Sequence, residues 1–185
     1  MHMKHLKLYE SFSEIESICQ KYRITNYTIN DDGSIDVDGH VDLDNKRLTK
    51  IPLQFRNVSG SFYCSDNQLT SLEGCPKSVG GGFSCSDNQL TSLEGGPKSV
   101  GGGFNCSYNQ LTTLEGCPKS VGGDFYCDNN PIYNIWILFQ DLDKIDLFND
   151  FDIIRGNTVI LDRLNMFLEE IGKRTVKKVD GYKCI

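Results

Sequence analysis

Between Phe62 and Cys127 the apolar positions recur in one fixed order, with polar residues between them. Phe62, Cys64, Leu69, Leu72 and Val79 are followed by Phe83, Cys85, Leu90, Leu93 and Val100, then by Phe104, Cys106, Leu111, Leu114 and Val121. Phe125 and Cys127 open a fading copy, and the step is 21 residues throughout. A fixed period of this length marks a solenoid, in which one turn has too little apolar surface to fold alone and buries its core by stacking. The Phe-x-Cys alternation places Phe and Cys on one face and the residue between them on the other, which predicts a half-buried strand in each turn. Strands stacked in register about 4.8 Å apart predict a parallel sheet with phenylalanine and cysteine ladders inside.

The polar positions repeat as well. Asn67, Asn88 and Asn109 each stand three residues past a cysteine, where a stacked amide can satisfy backbone groups of neighbouring turns. Pro76, Pro97 and Pro118 punctuate the return path, and glycines follow them. The frame extends backwards in weakened form through Val41, Leu43, Leu48 and Ile51, with Lys46 where asparagine is expected and Asn45 one earlier. Asn130, Ile132 and Ile135 carry it forward, so five strands are expected in the main sheet.

The ends depart from the period. Ser13-Glu-Ile-Glu16 is a capping-box pattern, and Phe12, Ile15, Ile18, Cys19 and Tyr22 follow helical spacing. Tyr27–Asn30, Asp31-Asp-Gly33 and Ser34–Asp38 predict a hairpin. Ile132–Phe139, Leu142–Phe151 and Thr158–Ile171 predict helices, the last ended by Gly172. The organisation expected is an N-terminal helix-and-hairpin cap over 1–40, a solenoid over 41–131 and a helical C-terminal cap with a basic tail over 132–185.

The positions Phe83, Cys85, Asn88 and Leu90, with their equivalents a period away, resemble the leucine-rich repeat family, with Phe and Cys where Leu is usual. The Asn-Gln-Leu-Thr-Ser-Leu run is similar to the repeats of bacterial effector proteins. The wording Leu-Glu-Gly-Cys-Pro-Lys-Ser-Val-Gly-Gly is closer to small repeat proteins of tailed phages, a resemblance that covers most of the chain. These resemblances imply an α/β-type solenoid with a parallel sheet on its concave side and an irregular convex side. They also imply a protein-binding role, acting on a host factor such as a defence component if the chain is phage-encoded.

Composition narrows the chemistry. A net charge of −6 over 185 residues argues against a nucleic-acid footprint, and within residues 60–130 three lysines face seven acids with no arginine. There is no apolar run of membrane-spanning length, and Met1–Arg23 has no signal-peptide pattern. Eight cysteines in such a chain point to reduced thiols in a cytoplasm, the host bacterium's if the chain is phage-encoded.

Each candidate chemistry meets a plainer alternative. Cys64, Cys85, Cys106 and Cys127 would lie roughly 15 Å end to end at strand spacing, whereas zinc needs its ligands within about 2.3 Å. They are expected to be core residues, with no metal and no cofactor. The Gly80-Gly-Gly82 run lacks P-loop spacing and reads as a turn. Asp36–Asp44 partly mimics a calcium loop, but Ile35, Val37, Val41 and Leu43 alternate as in a strand. His5 and His40 stand near no nucleophile, so no catalytic residue is assigned and the chain is expected not to be an enzyme. Loop Cys75 and Cys117, expected near the surface, leave a thiol-dependent enzyme as a remote alternative, and Cys184 is expected in a tail.

The outward face of the sheet remains. Asp42, Asp44, Tyr63, Ser65, Ser84, Asn105, Tyr108, Tyr126 and Asp128 are expected there, with Asp66, Asp87 and Asn129 just past the strands. Tyrosines at its ends and acids at its rims suit a protein or peptide partner, a basic one by preference. A monomeric protein-binding module is the expectation, with no nucleic-acid or membrane partner. A self-associating structural protein is the alternative.

Overall fold

A computed structural model describes residues 2–185, with side chains from Phe12 onward; the side chain of His5 lies outside the described residues. Helix α1 (His2–Lys21) leads into the hairpin β1 (Tyr27–Ile29) and β2 (Ile35–Val37). The helix begins well before Ser13, so the capping-box pattern lies inside it. The turns that follow contribute two short strands each: β3 (Val41–Asp42) and β4 (Phe55–Val58), β5 (Phe62–Tyr63) and β6 (Ser78–Val79). Then come β7 (Phe83–Ser84) and β8 (Ser99–Val100), β9 (Phe104–Asn105) and β10 (Ser120–Val121), and finally β11 (Phe125–Tyr126).

The Phe-x strands form the expected five-stranded parallel sheet, in the order β11-β9-β7-β5-β3. Phe62, Phe83, Phe104 and Phe125 pair in register, each one period from the next. The return path is not irregular. Its Ser-Val strands form a second parallel ladder, in the order β2-β4-β6-β8-β10 with β1 at the edge. The reason is the same strict period: Val58, Val79 and Val100 alternate inward and bury, so their strands stack as the phenylalanine strands do. This is an α/β architecture of parallel sheets, compatible with a repeat solenoid.

The two sheets share one core. The rings of Phe62 and Phe83 stack at 5.7 Å, Phe83 and Phe104 at 5.1 Å, and Phe104 and Phe125 at 5.5 Å, each pair within 13° of parallel. Trp136 of α2 (Tyr133–Trp136) closes the column against Phe125 at 5.0 Å. Backbones approach so closely at the corner after the valine that a Cβ at Gly101 would collide with the Gly80 carbonyl beneath it. Only glycine fits there.

The asparagines bind turn to turn. Asn88 Nδ2 donates to the carbonyls of Cys64 (3.0 Å), Cys85 (3.2 Å) and Ser86 (3.1 Å), and its Oδ1 accepts from Leu69 N–H at 2.9 Å. Asn67, Asn109 and Asn130 repeat this pattern. Lys46 supplies no such amide. Asn45 instead takes the left-handed conformation that Asp66 takes one period later, so the asparagine frame truly starts at the second turn.

The C-terminal segment is helical only in part. After α2 come a 3₁₀ turn (Leu142–Lys144), α3 (Ile145–Asp150), β12 (Ile154–Arg155), β13 (Thr158–Val159), α4 (Leu161–Glu170) and β14 (Lys183–Cys184). Thr158 and Val159 form a strand between β12 and β14 rather than starting the last helix, and Cys184 belongs to a paired strand rather than a free tail. Gly172, at φ 70°, ends α4 as expected, with Gly172 N–H donating to Glu169 O and Lys173 N–H to Leu168 O. Among the described residues no helix is long and apolar enough to cross a membrane.

Candidate interaction face

The outward residues of the five-stranded sheet fall into rows set by strand register. The first row is Asp42, Tyr63, Ser84, Asn105 and Tyr126. With strands about 4.8 Å apart, Tyr63 and Tyr126 stand roughly 14 Å from one another along the stack. Ser84 and Asn105 occupy the two strands between them, so only small polar side chains separate the two tyrosines.

The neighbouring row corrects the sequence reading. Ser65 is not presented outward: with Ser86 and Ser107 it is buried, at 7% exposure, because the chain turns sharply right after the cysteine. These serines knit the face internally. Ser65 Oγ and Ser84 Oγ lie 2.7 Å apart, and Ser107 Oγ donates to Asp128 Oδ1 at 2.6 Å, which holds the Asp128 carboxyl below the usual carboxylate range. Asp44, half-buried in the same row, accepts from Ser65 N–H at 2.5 Å, yet burial pushes its carboxyl up.

One residue further along, Asn45, Asp66, Asp87, Tyr108 and Asn129 all adopt left-handed backbone, with φ between 53° and 55°. Asn and Asp tolerate this conformation, and a bulky aromatic does not. The row's Asn/Asp composition was a readable signal for it. Tyr108 breaks that rule and stands 56% exposed, with Tyr126 at 51% and Tyr63 at 38%. Replacing Tyr108 by Asn is therefore expected to raise stability by about 0.5–1 kcal/mol, measured by urea unfolding. A lower midpoint would mean that the ring stabilises the fold and is not an exposed, strained group.

Asp124, which the sequence reading passed over, accepts the Tyr126 hydroxyl at 2.9 Å and thereby raises the phenol's pKa. On the far side of the core another row was also missed. Arg56, Lys77, Lys98 and Lys119 stack one above another, Lys98 N–H donating to Lys77 O and Lys119 N–H to Lys98 O. Arg56 is tied to Asp36, whose carboxyl it holds down at about 2, while Asn57 also donates to that carboxylate.

The thiols offer little chemistry. Cys75 is buried, not exposed, and desolvation pushes it and Cys85 and Cys106 well up. Cys117 is raised for the same reason, and Cys127 goes up to about 12. Cys64 and Cys106 donate to the carbonyls of Ser84 and Tyr126, so both sulfurs act as hydrogen-bonded core groups. Asp36 and Asp42 lie in strands β2 and β3 rather than a calcium loop. Among the described residues no group of three or more His, Cys, Asp and Glu side chains is placed to hold a metal ion. No protein-family model matches the chain, and no curated protein or solved structure was found to be similar to it.

Proposed function

We propose that this chain is a non-enzymatic protein-interaction module of leucine-rich-repeat type that binds its partner through the outward face of the five-stranded sheet. The carrying observation is the placement of Tyr63, Tyr108 and Tyr126, exposed aromatics on a face otherwise floored by small, mutually bonded side chains. Tyrosine brings large contact area at low entropic cost and anchors interfaces more often than most residues. Keeping Tyr108 in a backbone conformation better suited to asparagine supports a role outside folding. If the wording of the repeats reflects a tailed-phage origin, the partner is a protein of the bacterial host.

The test is capture of a bacterial protein by the tagged chain, with the retained protein identified by mass spectrometry. The Tyr63→Ala/Tyr126→Ala pair is expected to weaken retention at least about tenfold, the loss of two anchors at 1 kcal/mol or more each, while leaving the unfolding midpoint nearly unchanged. Undiminished retention by that variant would sink the reading.

Self-association is a second reading, favoured by the basic row Lys77, Lys98 and Lys119, which repeats at the same pitch as the acidic face on the other side of the core. It requires concentration-dependent sedimentation.

A further inference from the structure

We propose that this face takes an extended, positively charged peptide segment, with lysine or arginine heads seated around Tyr108 and Tyr126. The inference rests on the reading that the face is the partner-binding surface, and it adds the chemistry and polarity of what binds.

The face carries unneutralised negative charge. Asp66 and Asp87 stand exposed in the left-handed row, and Asp124 and Asp128 flank Tyr126. Among the described residues none of these four is in an ion pair, whereas Asp36, Asp146, Asp152 and Asp180 elsewhere are each paired with Arg or Lys. What holds the four carboxylates, where anything does, is neutral: the Tyr126 hydroxyl on Asp124, and Ser107 Oγ and Asn129 Nδ2 on Asp128. No lysine or arginine belongs to either exposed row from the second turn onward.

The basic residues near the sheet gather instead at its N-terminal end. Lys21, Arg23 and Lys46 line one cavity with Asp42 there. Cations therefore stand beside the carboxylates only at the first turn, and the later turns carry carboxylates alone, which gives a bound segment a direction. Two tyrosines beside the carboxylates supply ring faces for a cation, a contact that adds to carboxylate attraction. The distance between Tyr63 and Tyr126 along the stack, roughly 14 Å, matches about four extended residues.

The probe is the blocked peptide acetyl-Arg-Gly-Arg-Gly-amide, titrated into the isotope-labelled full-length chain and followed by amide chemical shifts. Its citrulline counterpart keeps the shape and removes the charge. Saturable shifts are expected at Asp87, Tyr108, Tyr126 and Asp128, weakened about tenfold by citrulline and lessened by salt. Tyr126→Ala is expected to weaken binding about two- to fivefold. Asp66→Asn/Asp87→Asn, which keeps residues that tolerate left-handed backbone, should weaken it and flatten its salt dependence.

Equal binding of the citrulline peptide overturns the proposal, as do shifts that map to Glu73, Glu94 and Glu115. Sedimentation that shows self-association abolished by Lys98→Glu also overturns it, because the occupant is then a second copy. A captured partner that depends on Tyr63 and Tyr126 but is not displaced by the arginine peptide removes this inference alone. A partner indifferent to both tyrosines removes the underlying reading as well.

Discussion

Replacing Asn88 by aspartate is expected to destabilise the chain by about 3–5 kcal/mol at pH 7 and to do so less in acid. The wild-type amide is 8% exposed, donates to three carbonyls and accepts from one N–H. Aspartate keeps the acceptor for Leu69 N–H but turns the donor into a second oxygen facing the carbonyls of Cys64, Cys85 and Ser86. An ionised carboxylate there is both desolvated and repelled, so its folded-state pKa rises above its unfolded value of about 3.9. The folded state then binds the extra proton first, and the deficit relative to wild type shrinks as pH falls from 7 towards 4. Asn88→Ala gives the comparison. The Cys64 carbonyl keeps Asn67, and the Cys85 carbonyl keeps Asn109, but Leu69 N–H is left without its acceptor. Its cost should be smaller, about 2–3 kcal/mol, and independent of pH. Urea unfolding of both variants at pH 7 and pH 5 separates these outcomes. An aspartate variant within 1 kcal/mol of wild type, or one as unstable at pH 5 as at pH 7, would show that the amide ladder does not bind the turns together.

Phe83→Ala is expected to cost about 3–5 kcal/mol, a large share of the 5–15 kcal/mol that holds a typical domain folded. Phe83 is 1% exposed and lies in the middle of the ring column, with Phe62 on one side and Phe104 on the other. Truncation removes both stacking contacts and opens a cavity that neighbouring turns, fixed by their own ladders, cannot close. Phe125, half-buried at the end of the column, should cost less when truncated, and Phe83→Leu less than about 1.5 kcal/mol. Calorimetry on the three variants tests the order. If Phe125→Ala proves the costliest, the junction with Trp136 rather than the repeat stack carries the stability.

The strict period made the ladders legible in advance. Phe83, Cys85, Asn88 and Leu90 sit where their spacing placed them, and the hairpin before them was marked by Asp-Gly between alternating runs. The second sheet was missed because Ser78-Val79 is only two residues long, too short for alternation to be seen within one turn. It emerges from pairing across turns, which no local window contains. Thr158 and Val159 failed for a related reason, since the partners that make them a strand include Lys183 and Cys184 at the far end of the chain. On the candidate face, Tyr63 and Tyr126 followed from alternation, but Ser65 did not. The left-handed residue just beyond it bends the backbone and folds that serine under its neighbours.

Each buried carbonyl of Cys64, Cys85 and Cys106 is shared by two asparagines, one from its own turn and one from the next. The bonds therefore record only position within the period, not which turn is which. Inserting or deleting a single residue breaks the 21-residue spacing of the turn that receives it, whereas removing the span 85–105 as a unit hands the bonds of Asn88 to Asn109 unchanged. Such a chain changes length in whole steps. Each step alters the distance between Tyr63 and Tyr126 by about 4.8 Å while leaving both rings on the same side. The scaffold is thus a ruler with fixed graduations, on which the reach between two contact points is set by the number of repeats rather than by reshaping any one of them.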